Sequence, residues 1–288
     1  MKVQLSQRQV ITMQLLSMMP VLSSTILSPI YPTMLKELGL TNSQLGAIAS
    51  TGTLVALITS LTIGIIDLKI TRYSLMRLLL TFYVVGLAIC ASTSIFKNNA
   101  YLLLLIGRSL IGMGEIGGLQ QVLACLGSGQ DIDNKNSIFG KVEGSASAGA
   151  ASGPIIGSLL LMIAWWLGYV LPAVMMSFLI ILFTPNLREL GYFQSTLART
   201  KGSEETTISK YVLMAGLSCM LLMFALSSMQ TFVVGYFIKE KSITTGYAGI
   251  YVALHALCMA IAAILIGKRT NIKNASRNIF VGLFLFGI

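Results

Sequence analysis

Charge is what this chain has least of. Asp, Glu, Lys and Arg together make up 10% of its 288 residues, against about 25% in an ordinary soluble domain. Apolar residues make up 55% and the mean hydropathy is +0.81. No soluble fold of this size has an interior large enough to hide so much apolar side chain, whereas a bilayer accepts it on every outward face. Histidine is down to a single residue and cysteine to four. Cys90, Cys125, Cys219 and Cys258 each lie in an apolar stretch without CxxC spacing, which is the pattern of small buried hydrophobes and leaves no metal set. A Gly-rich phosphate loop, a Ser–His–Asp set and an HExxH helix are all missing, which argues against an enzyme, a bound cofactor and a nucleotide-driven pump.

Acidic residues are also scarce, at 10 against 20 Lys and Arg, giving a net charge of +10. The basic residues form no continuous stripe, so no nucleic-acid partner is expected; they punctuate apolar runs instead. Those runs predict spanning helices at about 11–35, 43–66, 73–96, 100–126, 138–164, 167–184, 210–238 and 246–267, with a partial ninth beginning near Asn278, each about the 20 residues that cross a bilayer. The first is too long and too proline-rich (Pro20, Pro29, Pro32) to be a cleavable signal. Fifteen Lys and Arg fall on the side of the N-terminus. Only Lys36, Lys97, Lys239 and Lys241 fall on the other side, and Arg108 lies within a span. That asymmetry predicts a cytoplasmic N-terminus in a cytoplasmic (inner) membrane. The loop around 186–209 reads as a cytoplasmic linker between an N-terminal six-helix bundle, 1–185, and a partial C-terminal bundle, 210–288. Leu187, Leu190, Phe193 and Leu197 either form a short interfacial helix there or belong to an unstructured linker.

Three segments carry chemistry. In the fourth span, Arg108, Gly112 and Glu115 share one helical face. Arginine at the centre of a spanning helix costs about 2.5–3.5 kcal/mol, so Arg108 faces either a polar cavity or backbone carbonyls. Glu115, two turns on, is either a protonatable site or a carboxyl satisfied by a neighbour. In the fifth span, Ser145, Gly149, Gly153 and Gly157 make a stripe with almost no side chain, the device that lets helices pack closely in lipid. Pro154 is expected to kink the same helix. Between spans two and three, Gly64, Asp67, Lys69 and Arg72 sit at a cytoplasmic junction. They make salt bridges to a neighbouring bundle or simply form a solvated loop. Tyr31, Gln230 and Tyr236 are candidate cavity polars, and His255, mid-span, serves either coupling or packing.

These segments resemble the major facilitator superfamily, in particular its drug:proton antiporter branch of multidrug efflux proteins. Arg108-xxx-Gly112-x-Gly114 is similar to that family's fourth-helix arginine motif. Gly140 through Gly157 is similar to the fifth-helix glycine–proline motif of its proton-coupled antiporters, with Ser158 where a final glycine is common. Asp67 and Arg72 resemble a worn loop signature, with Ile70 and Thr71 at positions usually held by glycine and a basic residue. The resemblance implies an all-α membrane bundle of eight spanning helices and a partial ninth, out of twelve. It also implies alternating-access export of a small apolar or amphipathic molecule in exchange for protons. In that scheme Arg108 and Glu115 take part in proton or substrate coupling. Gly112, Gly140, Gly149, Gly153, Pro154 and Gly157 act in packing and gating, the fifth-helix stripe meeting a helix of the second half. Asp67 and Arg72 belong to a cytoplasmic charge network. The first span offers neutral polar groups where exporters of cationic drugs often have an acid. The substrate class therefore stays open between drug-like molecules and a siderophore or metabolite.

The last residues, Phe280 to Ile288, end in mid-helix, so the chain is expected to stop short of a complete second bundle. A truncated membrane protein without transport of its own is the other expectation from that ending. The first predicts that the coding sequence runs on past codon 288 for roughly 100 or more residues, with about three further spans. An immediate stop codon at the native locus, read by sequencing, would favour the second.

Overall fold

The computed structural model describes residues 4–65, 70–127 and 134–195, together with Leu254, Leu257, Cys258 and Ile261. The described residues are helical throughout and contain no strand. Six of the expected spans lie in this part, and the expected spans from 210 onward lie outside it apart from those four residues.

Helix α1 runs Gln7–Ile26. It starts where Ser6 and Gln9 cap each other: the Gln9 amide donates to the Ser6 hydroxyl (3.3 Å) and the Ser6 amide to the Gln9 side chain (2.9 Å). This reciprocal pair satisfies two orphan amides. The expectation of one unbroken first span to residue 35 is corrected here. The chain turns at Leu27–Ile30, and α2 (Tyr31–Leu38) begins anew. Pro29 and Pro32 lack the amides that would continue the ladder, and the Ser28 and Ile30 amides instead close short turns onto Thr25 and Leu27. α2 ends at Gly39, whose φ of 64° is the left-handed cap that glycine takes most easily.

α3 (Asn42–Ile65) and α4 (Arg72–Ser92) follow, α4 capped by the Thr71 hydroxyl. The fourth span is also corrected. It is not one helix but α5 (Ala100–Glu115), a wide five-residue turn at Ile116–Gln120, and α6 (Gln121–Gly127). Gly118 inside the wide turn has φ −93° and ψ −110°, outside helical values, which its missing Cβ makes accessible. α7 (Lys135–Leu161) and α8 (Leu167–Leu182) complete the bundle. After them come a short 3-10 turn at Thr184–Leu187 and the single-turn α9 (Gly191–Gln194).

Among the described residues, four segments are long and apolar enough to cross a membrane: Gln7–Ile26, Asn42–Ile63, Arg72–Ser92 and Lys97–Gly127. α7 has the length but is less apolar, with Lys135, Lys141 and Glu143 in its first part and Ala, Ser and Gly beyond. α8 is apolar and free of charged residues but only 16 residues long, about 24 Å at helical rise. α1 packs chiefly on α7, α5 on α4 and α3, and α8 on α4. Met13, Leu16, Ile26, Met76, Leu80, Tyr83 and Tyr169 form the buried centre. Large apolar side chains point outward: Leu54, Leu57, Ile58 and Leu61 on α3, and Val174, Phe178 and Ile181 on α8. In water such a surface would aggregate; in lipid it is the expected exterior.

The α1–α7 contact is made backbone to backbone. A Cβ added to Gly149 would lie 2.7 Å from the Met18 carbonyl. One on Gly153 would collide with the Thr25 hydroxyl, and one on Gly157 with the Ile26 carbonyl. Polar side chains stitch the same seam: Gln14 Nε2 donates to Ser145 Oγ (3.1 Å) and Ser17 Oγ to the Val142 carbonyl (3.0 Å). Gly149, Gly153 and Gly157 thus face α1, within the described bundle; the second half, which the resemblance makes the partner of this stripe, lies outside the described residues apart from the four named above. Gly153→Leu should lower the melting temperature of the detergent-solubilised protein by several degrees or abolish its folding, since overpacking a tight seam costs about 1–3 kcal/mol or more. Ala148→Leu, on the exposed side of α7, should leave the melting curve near wild type.

Candidate functional site

Arg108 is the one charged side chain among the described residues that is fully enclosed, at 8% exposure. It rides on α5, whose glycines bring three backbones close around it. Gly107 lies against Gly86 and Cys90 of α4, and Gly112 lies directly on the Gly52 carbonyl of α3. Gly114 lies against Tyr83 of α4, where a Cβ would sit 2.6 Å from the Tyr83 nitrogen. The Arg108 guanidinium lies over Gly52: a Cβ there would be 3.2 Å from Nη2. Gly52 was not singled out from the sequence. The signal that could have found it is its place on the second span, in the small-residue run Gly46 to Thr53.

The Nε–H of Arg108 has no hydrogen-bond partner among the described residues. The groups within electrostatic reach of the guanidinium are Tyr31 of α2, Glu115 of α5, Tyr169 of α8 and Cys90 of α4. Tyr31 is half-buried, and the Tyr169 hydroxyl points at the Met34 sulfur (3.5 Å). Glu115, half-buried, is the last residue of regular helix before the wide turn. Arg108, Glu115 and Tyr31 are thus brought to one region. A second acid, Glu143, is half-buried on α7, about two turns from its start.

Beyond Glu115, two helix defects stack on one another. Pro20 interrupts α1 from within, and Gly118 breaks the fourth span. A Cβ on Gly118 would lie 2.9 Å from both the Leu16 carbonyl and Pro20 Cγ. The Leu16 carbonyl is the one that Pro20, having no amide, leaves without its helical donor.

The fifth-helix residues lie at the α1 seam already described, with Gly140 and Pro154 buried on α7 and the Ser158 hydroxyl returned to the Pro154 carbonyl (2.8 Å). This group stands apart from Arg108, on another helix. Asp67, Gln230, Tyr236 and His255 lie outside the described residues.

Arg72 has a different setting. Its amide donates to the Ser195 carbonyl (3.1 Å), Nε to Ser195 Oγ (3.0 Å) and Nη1 to the Tyr192 hydroxyl (3.0 Å), and the guanidinium stands 4.6 Å from the Tyr192 ring centroid. It therefore holds the segment that follows α8. The far end of that segment is tied to α1, where Gln9 Nε2 donates to the Asn186 carbonyl and Asn186 Nδ2 to Thr12 Oγ1, both at 3.2 Å. Leu187 and Phe193 are fully buried and Leu190 nearly so. These residues pack under the bundle end as a strap. Burial raises the Tyr192 phenol above its ordinary value, and the nearby Arg72 guanidinium opposes the rise. Arg72→Ala should free the strap, seen as faster amide hydrogen exchange and faster protease cleavage at 191–195. Arg72→Lys, lacking the planar fork, should protect it only in part.

Helices in backbone contact around an enclosed cation, with an outward apolar surface, are the architecture of a multi-pass membrane protein. The sequence matches the family model of the Major Facilitator Superfamily over residues 15–288, and the chain belongs to that family. Its members are transporters, not enzymes. A curated relative, the bacillibactin exporter of Bacillus subtilis (strain 168), is 27% identical over 164 residues, 56% of this chain. The match spans 41% of that relative's length.

Proposed function

We propose that this chain belongs to a proton-coupled exporter of small apolar or amphipathic molecules, set in the cytoplasmic membrane with its N-terminus inside. Substrate binds near the bilayer midplane between two bundles, and rocking of the bundles exposes it to each side in turn. The observation that carries this reading is Arg108, enclosed in a spanning helix, with no partner for its Nε–H among the described residues and within electrostatic reach of Glu115. A buried charge left with donor capacity is expensive, and inside membranes it marks a transport or proton pathway. Glu115 is the group that alternates between proton and substrate, and Arg108 adjusts that exchange. A proton arriving from outside displaces substrate and favours return of the empty site inward. Lipid tails are the partner of the outward apolar faces, and no cofactor takes part. The strap beneath residues 1–185 favours treating that stretch as one bundle, with the linker to 210–288 leaving from it.

A second reading, a siderophore exporter, is favoured by the similarity to the bacillibactin exporter. The two readings share a mechanism and differ in cargo. Efflux driven by an imposed pH gradient, measured in vesicles with the complete protein and with ethidium and bacillibactin as separate probes, distinguishes them. Glu115→Gln and Arg108→Ala should each lower the driven rate about tenfold or more, the size of one lost coupling interaction at ~1.4 kcal/mol. Wild-type rates in both variants would overturn the mechanism.

A further inference from the structure

Tyr83 of α4 is fully buried, at 1% exposure, and is one of the largest enclosed side chains in the bundle. Its backbone and Cβ form the seat of Gly114, the residue before Glu115. Its ring then crosses the interior to α1, where the hydroxyl points at the Pro20 carbonyl (3.5 Å) and has Ser23 within hydrogen-bonding reach. Along that crossing the phenol lies within electrostatic reach of both Glu115 and Arg108. One side chain thus joins the coupling pair on α5 to the proline break of α1, against which Gly118 is pressed.

A hydroxyl in a lipid-embedded interior is costly unless bonded. Phenylalanine would fill the same space and fit the Gly114 seat equally well. The oxygen therefore does something that packing does not require. It ties α1 to the step at which the fourth span changes from regular helix to wide turn, and it adds a dipole within electrostatic reach of Glu115 and Arg108.

We propose that Tyr83 is a positioning residue for proton exchange at Glu115: its hydroxyl, held by Ser23 and the Pro20 carbonyl, sets the polarity and the backbone placement that the Glu115 carboxyl experiences beside Arg108. The inference rests on the proton-coupled reading. Among the described residues, the groups that face this region are few: α5 itself supplies Arg108, α4 supplies Tyr83 and Cys90, α2 supplies Tyr31 and α8 supplies Tyr169. α1 carries no ionisable residue other than Arg8 near its start, and α3 carries none. With so few polar groups on the described helices, removing one oxygen changes the environment of the carboxyl appreciably.

The test reads the carboxyl directly and needs no transported molecule. Infrared difference titration of the complete protein in lipid follows protonated carboxyl groups, and the band lost in Glu115→Gln identifies Glu115. Tyr83→Phe should move the midpoint of that band by about half a pH unit or more, with yield and melting temperature near wild type. A purely structural role would lower the yield and leave the midpoint in place. Ser23→Ala, which keeps the ring and removes its partner on α1, should move the midpoint as well and carries the test if Tyr83→Phe fails to fold. Wild-type midpoints in the variants that fold would overturn the inference, as would the absence of any band lost with Glu115→Gln. The proton-coupled reading fails separately, if Glu115→Gln exports at the wild-type rate while the midpoint still moves with Tyr83→Phe.

Discussion

Lipid gives helices no hydrophobic reason to associate, because the tails are as apolar as leucine. What remains is close backbone packing and a few polar contacts. The described bundle depends on that constraint. Gly86, Gly107, Gly112, Gly114 and Gly117 bring the fourth span within contact of α3 and α4, and Gly149, Gly153 and Gly157 bring α7 onto α1. At most of these positions a single methyl group would meet backbone of the neighbouring helix, so dispersion contacts and seam hydrogen bonds follow from the lack of a side chain. The glycines of the fourth-span motif therefore serve two neighbours at once, α3 through Gly112 and α4 through Gly114.

The same packing creates the polar site. Where the backbones of α3 and α4 close in on α5, Arg108 lies over Gly52. Tyr31 of α2, Cys90 of α4, Glu115 of α5 and Tyr169 of α8 lie within electrostatic reach of its guanidinium. Glu115 sits where the fourth span ceases to be a regular helix. Directly beyond it, Pro20 and Gly118 bring two backbone defects together. Defects of this kind gather at functional sites, since elsewhere their cost has nothing to offset it. At the bundle's end Arg72 uses its planar fork on Tyr192 and Ser195, turning the start of the linker into part of the bundle.

Much of this was legible along the chain. Apolar runs located α3, α4, α7 and α8 to within a few residues, and Arg108 and the fifth-helix glycines stood out because their residue types are improbable in a spanning helix unless something requires them. Two helices were read as continuous and are not. Pro29 and Pro32 did signal the break after Ile26, but the hydrophobic run carried through it. The wide turn at Ile116–Gln120 had only the pair Gly117-Gly118 to announce it, and glycine pairs also occur within packed helices. Tyr83 and Gly52 left no trace at all, since a tyrosine and a glycine in an apolar run are ordinary.

The sequence by itself determined the solvent, the helical class and the residues too costly to be accidental, because transfer free energies and helical periodicity are properties of the chain alone. The superfamily resemblance rested on those same residues. Only the tertiary structure decided which backbone each glycine admits, that the stripe of α7 meets α1, that Arg72 grips the strap, and that Tyr83 reaches Pro20. Those outcomes depend on the rotation and depth at which one helix meets another. Such quantities are set by the joint fit of several faces, and no single segment carries them.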